Sequence, residues 1–239
     1  MAMAGDGIRQ KAQNELVLSF LSVRRAIGAL GFFLPLALLA ASFVEAGGLR
    51  TSLSAYYYSP MREVFVGTLI AQAVFLWSYE GFRPEAGELI TDRRMARLAA
   101  VSVALVALLP TAGPDIPCTA LQCLLGPGPS ALIHLAAAGL FFGALAVFCL
   151  VLFVKGAEDG PEKRASNRIY RLCGWTILGS IGAIAALFVT GLDQALAPLR
   201  PVFWLESLAS FAFATSWAVK GDSLRPLVRG VMSAQATTP

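Results

Sequence analysis

Nine side chains border or interrupt long apolar runs and carry most of the chemistry this sequence can offer. They are Ser54, Tyr56, Tyr57, Tyr58, Arg62, Glu63, His134, Asp193 and Glu206. Six of them fall within the stretch "TSLSAYYYSPMREVFVG", residues 51–67, which runs straight into an apolar segment. An arginine presents a planar fork of donors that matches a phosphate or carboxylate. Arg62 is therefore the candidate anchor for an anionic headgroup, with the three tyrosines at the mouth and Glu206 and His134 on the floor. The carboxylate of Glu206, in "VFWLESLASFAF", lies about one turn inside an apolar run, where an ionisable group is costly and marks a site. Arg62 and Glu206 are also natural partners, and an ion pair between them would lock two helices together. Glu63 suits the positive end of the helix it begins.

His134 is the only histidine. A catalytic zinc takes three protein ligands rich in histidine, so no metal site is expected. Ser54, His134 and Asp193 have the residue types of a hydrolase triad, although no GxSxG-like elbow accompanies them. The ordinary alternative is a histidine hydrogen-bonded between helices. No phosphate loop, dinucleotide fingerprint or set of haem-ligating histidines appears, so no cofactor is expected.

What must position these groups follows from composition. Of 239 residues, 56% are hydrophobic and only 14% charged, against about 25% charged in an ordinary soluble domain. Mean hydropathy is +0.66. Six apolar segments approach the length needed to cross about 30 Å of hydrocarbon; they run roughly over 25–45, 62–81, 95–112, 130–154, 172–192 and 202–219. Strand-like alternation is absent, and the lipid interior admits only helices or closed barrels. The expected fold is all-α: an interfacial segment over 1–24, a six-helix transmembrane domain over 25–221 and a tail over 222–239.

Lys and Arg orient the bundle. Sixteen of the 19 fall in the stretches on one side, and three, Arg50, Arg62 and Arg200, on the other. Positive charge collects on the cytoplasmic side, which places both termini there and Ser54, Arg62, His134, Asp193 and Glu206 near the outer face. The pI near 9.0 is accounted for by this bias, and no nucleic-acid partner is implied. Gln72, Ser102, Thr176, Ser180 and Thr190 are the main polar residues deeper in the helices. Tyr79, Trp77, Tyr170, Trp175 and Trp217 fall near inner ends, and Tyr56 to Tyr58 and Trp204 near outer ends, as interfacial belts require.

Smaller features refine the expectation. Cys118 and Cys123 share an outer loop and are either bonded or free thiols. Ile8, Leu16, Phe20 and Leu21 can line one face of an interfacial helix. Gly28 and Gly31 thin the first helix, Pro35 should kink it, and Gly139 and Gly143 form a small-xxx-small packing face.

The stretches "SLSAYYYSPMREVFVG", "VALLPTAGP", "IHLAAAGLFF", "NRIYRLCGW" and "FWLESLASFAFATSWAVKG" resemble a bacterial family of six-helix integral membrane proteins, over about residues 25 to 221. The entry into the second helix is more distantly similar to DRAM/FRAG-type membrane proteins, a group linked to lipid handling and autophagy. The resemblance implies a fold and a motif, but brings no established activity and transfers no catalytic residue; the expected location is the bacterial inner membrane. The expected function is binding of a lipid headgroup or small amphiphile in an outward-facing pocket, with membrane lipids as partners and a homo-oligomer allowed. A small-solute transporter or channel, and an outward-facing lipid hydrolase or transferase, are the alternatives.

Overall fold

The computed structural model describes residues 2–85, 87–111, 113 and 118–236, with side chains over 20–235. Helices and turns account for all of the regular structure among the described residues. Six long helices carry the fold: α1 (Ala2–Ala41), α2 (Arg62–Trp77), α3 (Asp92–Leu108), α5 (Pro127–Val147), α6 (Pro161–Thr190) and α8 (Pro201–Lys220). Short helices α4 (Ala120–Leu125), α7 (Leu192–Ala195) and the terminal α9 (Arg225–Ala236) complete the set. A 3-10 turn over Ser54–Tyr58 leads into α2, and α5 ends in a π turn over Phe148–Leu152. The first helix is unbroken from Ala2, so the interfacial segment and the first apolar run form one rod. The side chains of Ile8 and Leu16 lie outside the described residues.

Each long helix packs on its neighbours in chain order, and α8 returns to pack on α1, so the six close into a ring. Closure depends on glycine. A Cβ on Gly28 would lie 3.1 Å from the backbone nitrogen of Ala218, and one on Gly31 would lie 2.9 Å from the Phe213 ring. Bare backbone at both positions lets α1 and α8 touch. At Gly139 and Gly143 a Cβ would meet nothing within 4 Å, so the expected packing face there faces open space instead.

Four stretches are long and apolar enough to cross a membrane: Phe20–Ala41, Pro127–Leu152, Pro161–Thr190 and Ala197–Lys220. Helices α2 and α3, at 16 and 17 residues, span about 24 and 26 Å at 1.5 Å per residue. Helix α2 falls short because the charged turn after it begins at Ser78, earlier than the apolar run implied, and α3 because it stops at Leu108, just before Pro110.

The core is aromatic. Trp217 is fully buried, with its ring centre 4.9 Å from that of Tyr79, 5.1 Å from Phe148 and 5.3 Å from Phe153. Tyr79, Tyr170, Trp217, Tyr56 and Tyr57 are thus core residues rather than interfacial belts. Trp77, Trp175 and Trp204 do face outward. Cys118 and Cys123 are bonded, with Cα atoms 5.3 Å apart.

Candidate functional site

The stretch 51–59 folds back over the mouth of the ring, and Glu206 holds it there. The backbone N–H of Leu53 donates to the Glu206 carboxylate at 2.6 Å, and Phe203 N–H donates to the Thr51 carbonyl at 3.1 Å. Near the start of the 3-10 turn, the Ala55 N–H donates to Ser52 Oγ at 3.0 Å. Ser59 ends it, donating to the Tyr56 carbonyl at 2.8 Å while accepting from Met61 N–H at 3.1 Å. This is local hydroxyl chemistry of the kind that favours turns over continued helix.

That turn carries Ser54 to His134 on α5. His134 Nε2 lies 2.9 Å from Ser54 Oγ, and Nδ1 lies 2.6 Å from the Leu109 carbonyl. A carbonyl oxygen only accepts, so Nδ1 carries the hydrogen; in the neutral ring Nε2 then presents its lone pair to the serine hydroxyl. Ser54, His134 and Glu206 lie together at one end of the groove. Asp193 does not join them: it sits on α7, half-exposed, and the Leu109 carbonyl occupies the position a triad carboxylate would take.

Arg62 is also placed elsewhere. Its guanidinium lies over the Tyr57 ring, 4.4 Å from the centre, and donates to the Tyr57 hydroxyl at 3.0 Å. The expected Arg62–Glu206 pair is absent because each group finds a partner near its own entrance to the bundle. Arg62, Tyr57 and exposed Glu63 line a separate hollow of about 380 Å³ on the α2–α3 side. Tyr58 donates to the Thr111 carbonyl at 2.7 Å, and Tyr56 packs on Phe203. Burial pushes both phenols above their ordinary range, so they remain neutral hydrogen-bonding groups.

Two cavities meet at Ser54 and Glu206. A small one, about 50 Å³, lies inside the ring and reaches down to Gln72. The larger, about 440 Å³, is a groove between α5, α6 and α8, where α5 and α8 barely touch. Ile181, Ile184, Phe188 and Val202 wall it, Gly139 widens it, and Ser52, Ser54, Thr111, His134 and Glu206 supply its polar surface. Val189, also in its lining, is 87% exposed, so the groove opens sideways between helices.

A second polar cluster, at the opposite end, has no counterpart in the expected site. Arg24 is buried, stacked 3.9 Å from the Phe20 ring centre, and donates to the Tyr79 hydroxyl at 3.0 Å and the Lys220 carbonyl at 3.4 Å. The Tyr79 hydroxyl in turn reaches Asp92 at 3.5 Å. An adjacent hollow of about 560 Å³ is lined by Asp92, Lys155, Lys163 and Lys220 among others. Phe20 four residues before Arg24 is the one signal that could have marked this arginine as packed rather than solvated. Among the described residues no group of three His, Cys, Asp or Glu gathers to hold a metal.

Compared with models of known protein families, with curated proteins and with solved structures, the chain matches none.

Proposed function

We propose that this chain is a six-span protein of the bacterial cytoplasmic membrane, with both termini cytoplasmic, that takes a lipid headgroup or small amphiphile into the groove at its outer end. The groove carries the reading. Its walls are apolar, its polar groups gather around Ser54, His134 and Glu206, and it opens sideways past Phe188 and Val189. Ligand sites of several hundred Å³ commonly combine apolar walls with a few convergent polar groups, and in a membrane such an opening faces lipid tails. The distribution of Lys and Arg supports the orientation. The place of α2 and α3 in the same closed ring, α2 between α1 and α3 and α3 between α2 and α5, supports counting them as spans whose ends lie in the interfaces. A small-solute path has less support, since Tyr79, Phe148, Phe153 and Trp217 fill the ring below Gln72. Native mass spectrometry on detergent-purified protein should show co-purified phospholipid or fatty amphiphile. A protein that emerges bare, and stays bare when phospholipid is added back, overturns the reading.

A further inference from the structure

We propose that Ser54 and His134 form a nucleophile–base dyad that cleaves or transfers the acyl group of an ester lipid seated in the groove, an inference that rests on the amphiphile reading above. The geometry is the one a serine nucleophile requires: a base within hydrogen-bond reach, itself oriented by a third group. Ser54 Oγ stands 2.9 Å from His134 Nε2, and the Leu109 carbonyl fixes the ring through Nδ1 at 2.6 Å. A backbone carbonyl thus does for the tautomer what a carboxylate does in a triad. Ser54 and His134 are 7% and 3% exposed, yet both line the groove, so a groove occupant is what they face. A histidine serving only to tie α5 to the mouth would not need to share its serine with a lipid-sized apolar groove.

The step balances without a redox partner. Ser54 Oγ bonds to the ester carbonyl carbon as its proton passes to Nε2. The tetrahedral intermediate collapses by breaking the bond from carbon to the alkoxy oxygen, and the imidazolium returns that proton to the leaving alcohol. Water from the interface, or a second alcohol, then attacks acyl-Ser54, giving its proton through Nε2 back to Oγ. The hydroxyls of Ser52 and Thr111, in the same lining, are the donors available to the carbonyl oxygen as it gains charge. The apolar walls select a long-chain acyl group over a short soluble ester.

The test uses purified protein in detergent, a fluorophosphonate probe, p-nitrophenyl palmitate and p-nitrophenyl acetate. The probe should label Ser54, as mapped by peptide mass spectrometry, and the palmitate ester should be turned over faster than the acetate. Labelling and turnover should fall on the order of 100-fold or more in Ser54→Ala and His134→Gln, and stay within about twofold in Asp193→Asn. Wild-type protein that holds lipid but takes no label and turns over neither ester overturns the dyad and leaves the amphiphile reading standing. Label on Ser54 in protein that never holds lipid overturns the amphiphile reading and the ester-lipid substrate with it, leaving only a reactive Ser54–His134 pair. Because the labelled residue is mapped in the wild type, a variant that fails to fold does not shield the proposal: label on any other serine overturns it.

Discussion

Arg62 and Tyr57 form a closed local unit, with the guanidinium 4.4 Å above the phenol ring and bonded to its hydroxyl at 3.0 Å. The charge is held across the 3-10 turn, five residues away, and not across the bundle by Glu206. Arg62→Ala should therefore leave bound lipid within about twofold and lower stability by about 1 kcal/mol, the scale of an exposed cation–π contact. Lipid measured by native mass spectrometry should follow the wild type. Loss of most of it from a folded Arg62→Ala protein would show that this arginine reaches the ligand.

Glu206 acts on backbone rather than on a cation, accepting from Leu53 N–H at 2.6 Å. Gln keeps an acceptor of the same reach, whereas Ala orphans an amide in an otherwise buried turn. Orphaning such a group costs about 1–3 kcal/mol. Apparent melting temperatures should fall in the order wild type, Glu206→Gln, Glu206→Ala. Equal losses in the two variants would mean that the carboxylate's charge, not its acceptor geometry, holds the turn.

Glycines in equivalent-looking apolar helices should respond oppositely. At Gly28 a Cβ meets the backbone of α8 at 3.1 Å, which cannot yield like a flexible side chain, so Gly28→Ala should destabilise by about 1–3 kcal/mol. At Gly139 a Cβ meets nothing within 4 Å and the position lines the groove. Gly139→Leu should gain up to about 1 kcal/mol in helix propensity while filling the lipid's place. The combination sought is an unchanged or raised melting temperature with bound lipid largely lost; full lipid retention would put the ligand outside the groove.

These contrasts show what the sequence exposes and what it conceals. Helix content and the polar identity of the mouth follow from residue types, and Ser54, His134 and Glu206 stand out because polarity is scarce in an apolar run. The third member of the histidine's environment does not, because the Leu109 carbonyl is backbone and leaves no mark in the residue type. The partner of Arg62 is concealed for a related reason: opposite charges invite a long-range pair, while Tyr57, five residues before it, offers both a ring and a hydroxyl. The Arg24–Tyr79–Asp92 cluster was hidden by position. Each residue lies near the end of an apolar run, where solvated charge and interfacial tyrosine are the ordinary outcome, and only packing shows that all three are buried.

In that buried cluster, Tyr79→Phe isolates the hydroxyl. The ring's contact with Trp217, 4.9 Å between centres, survives, while Arg24 loses the acceptor it reaches through Nε and Nη2 at 3.3 and 3.0 Å. Bonds to a charged group contribute about 1.5–3 kcal/mol, so the melting temperature should drop clearly without loss of helix content. If Tyr79→Phe melts with the wild type, Arg24 is satisfied by the Lys220 carbonyl and its ring contacts alone.

Glu158 gives a pH-dependent prediction outside the membrane-spanning segments. Its carboxylate accepts from Asn167 Nδ2 at 2.8 Å and from Arg171 Nη2 at 3.3 Å. The Asn167 bond, with the Arg171 charge adding to it, holds the carboxyl below its ordinary value of 4.5. A group whose folded value lies below its unfolded one stabilises the fold fully above the unfolded value and loses that contribution as pH falls through the folded one. The effect of Glu158 should therefore be constant at neutral pH and fade only below about pH 4.5. Carbon-detected NMR titration of the Glu158 carboxyl is the direct measurement, and Asn167→Ala should move its midpoint back up toward the ordinary range. A wild-type midpoint at or above that range, or one that Asn167→Ala leaves in place, would assign the turn before α6 to its backbone rather than to this carboxylate.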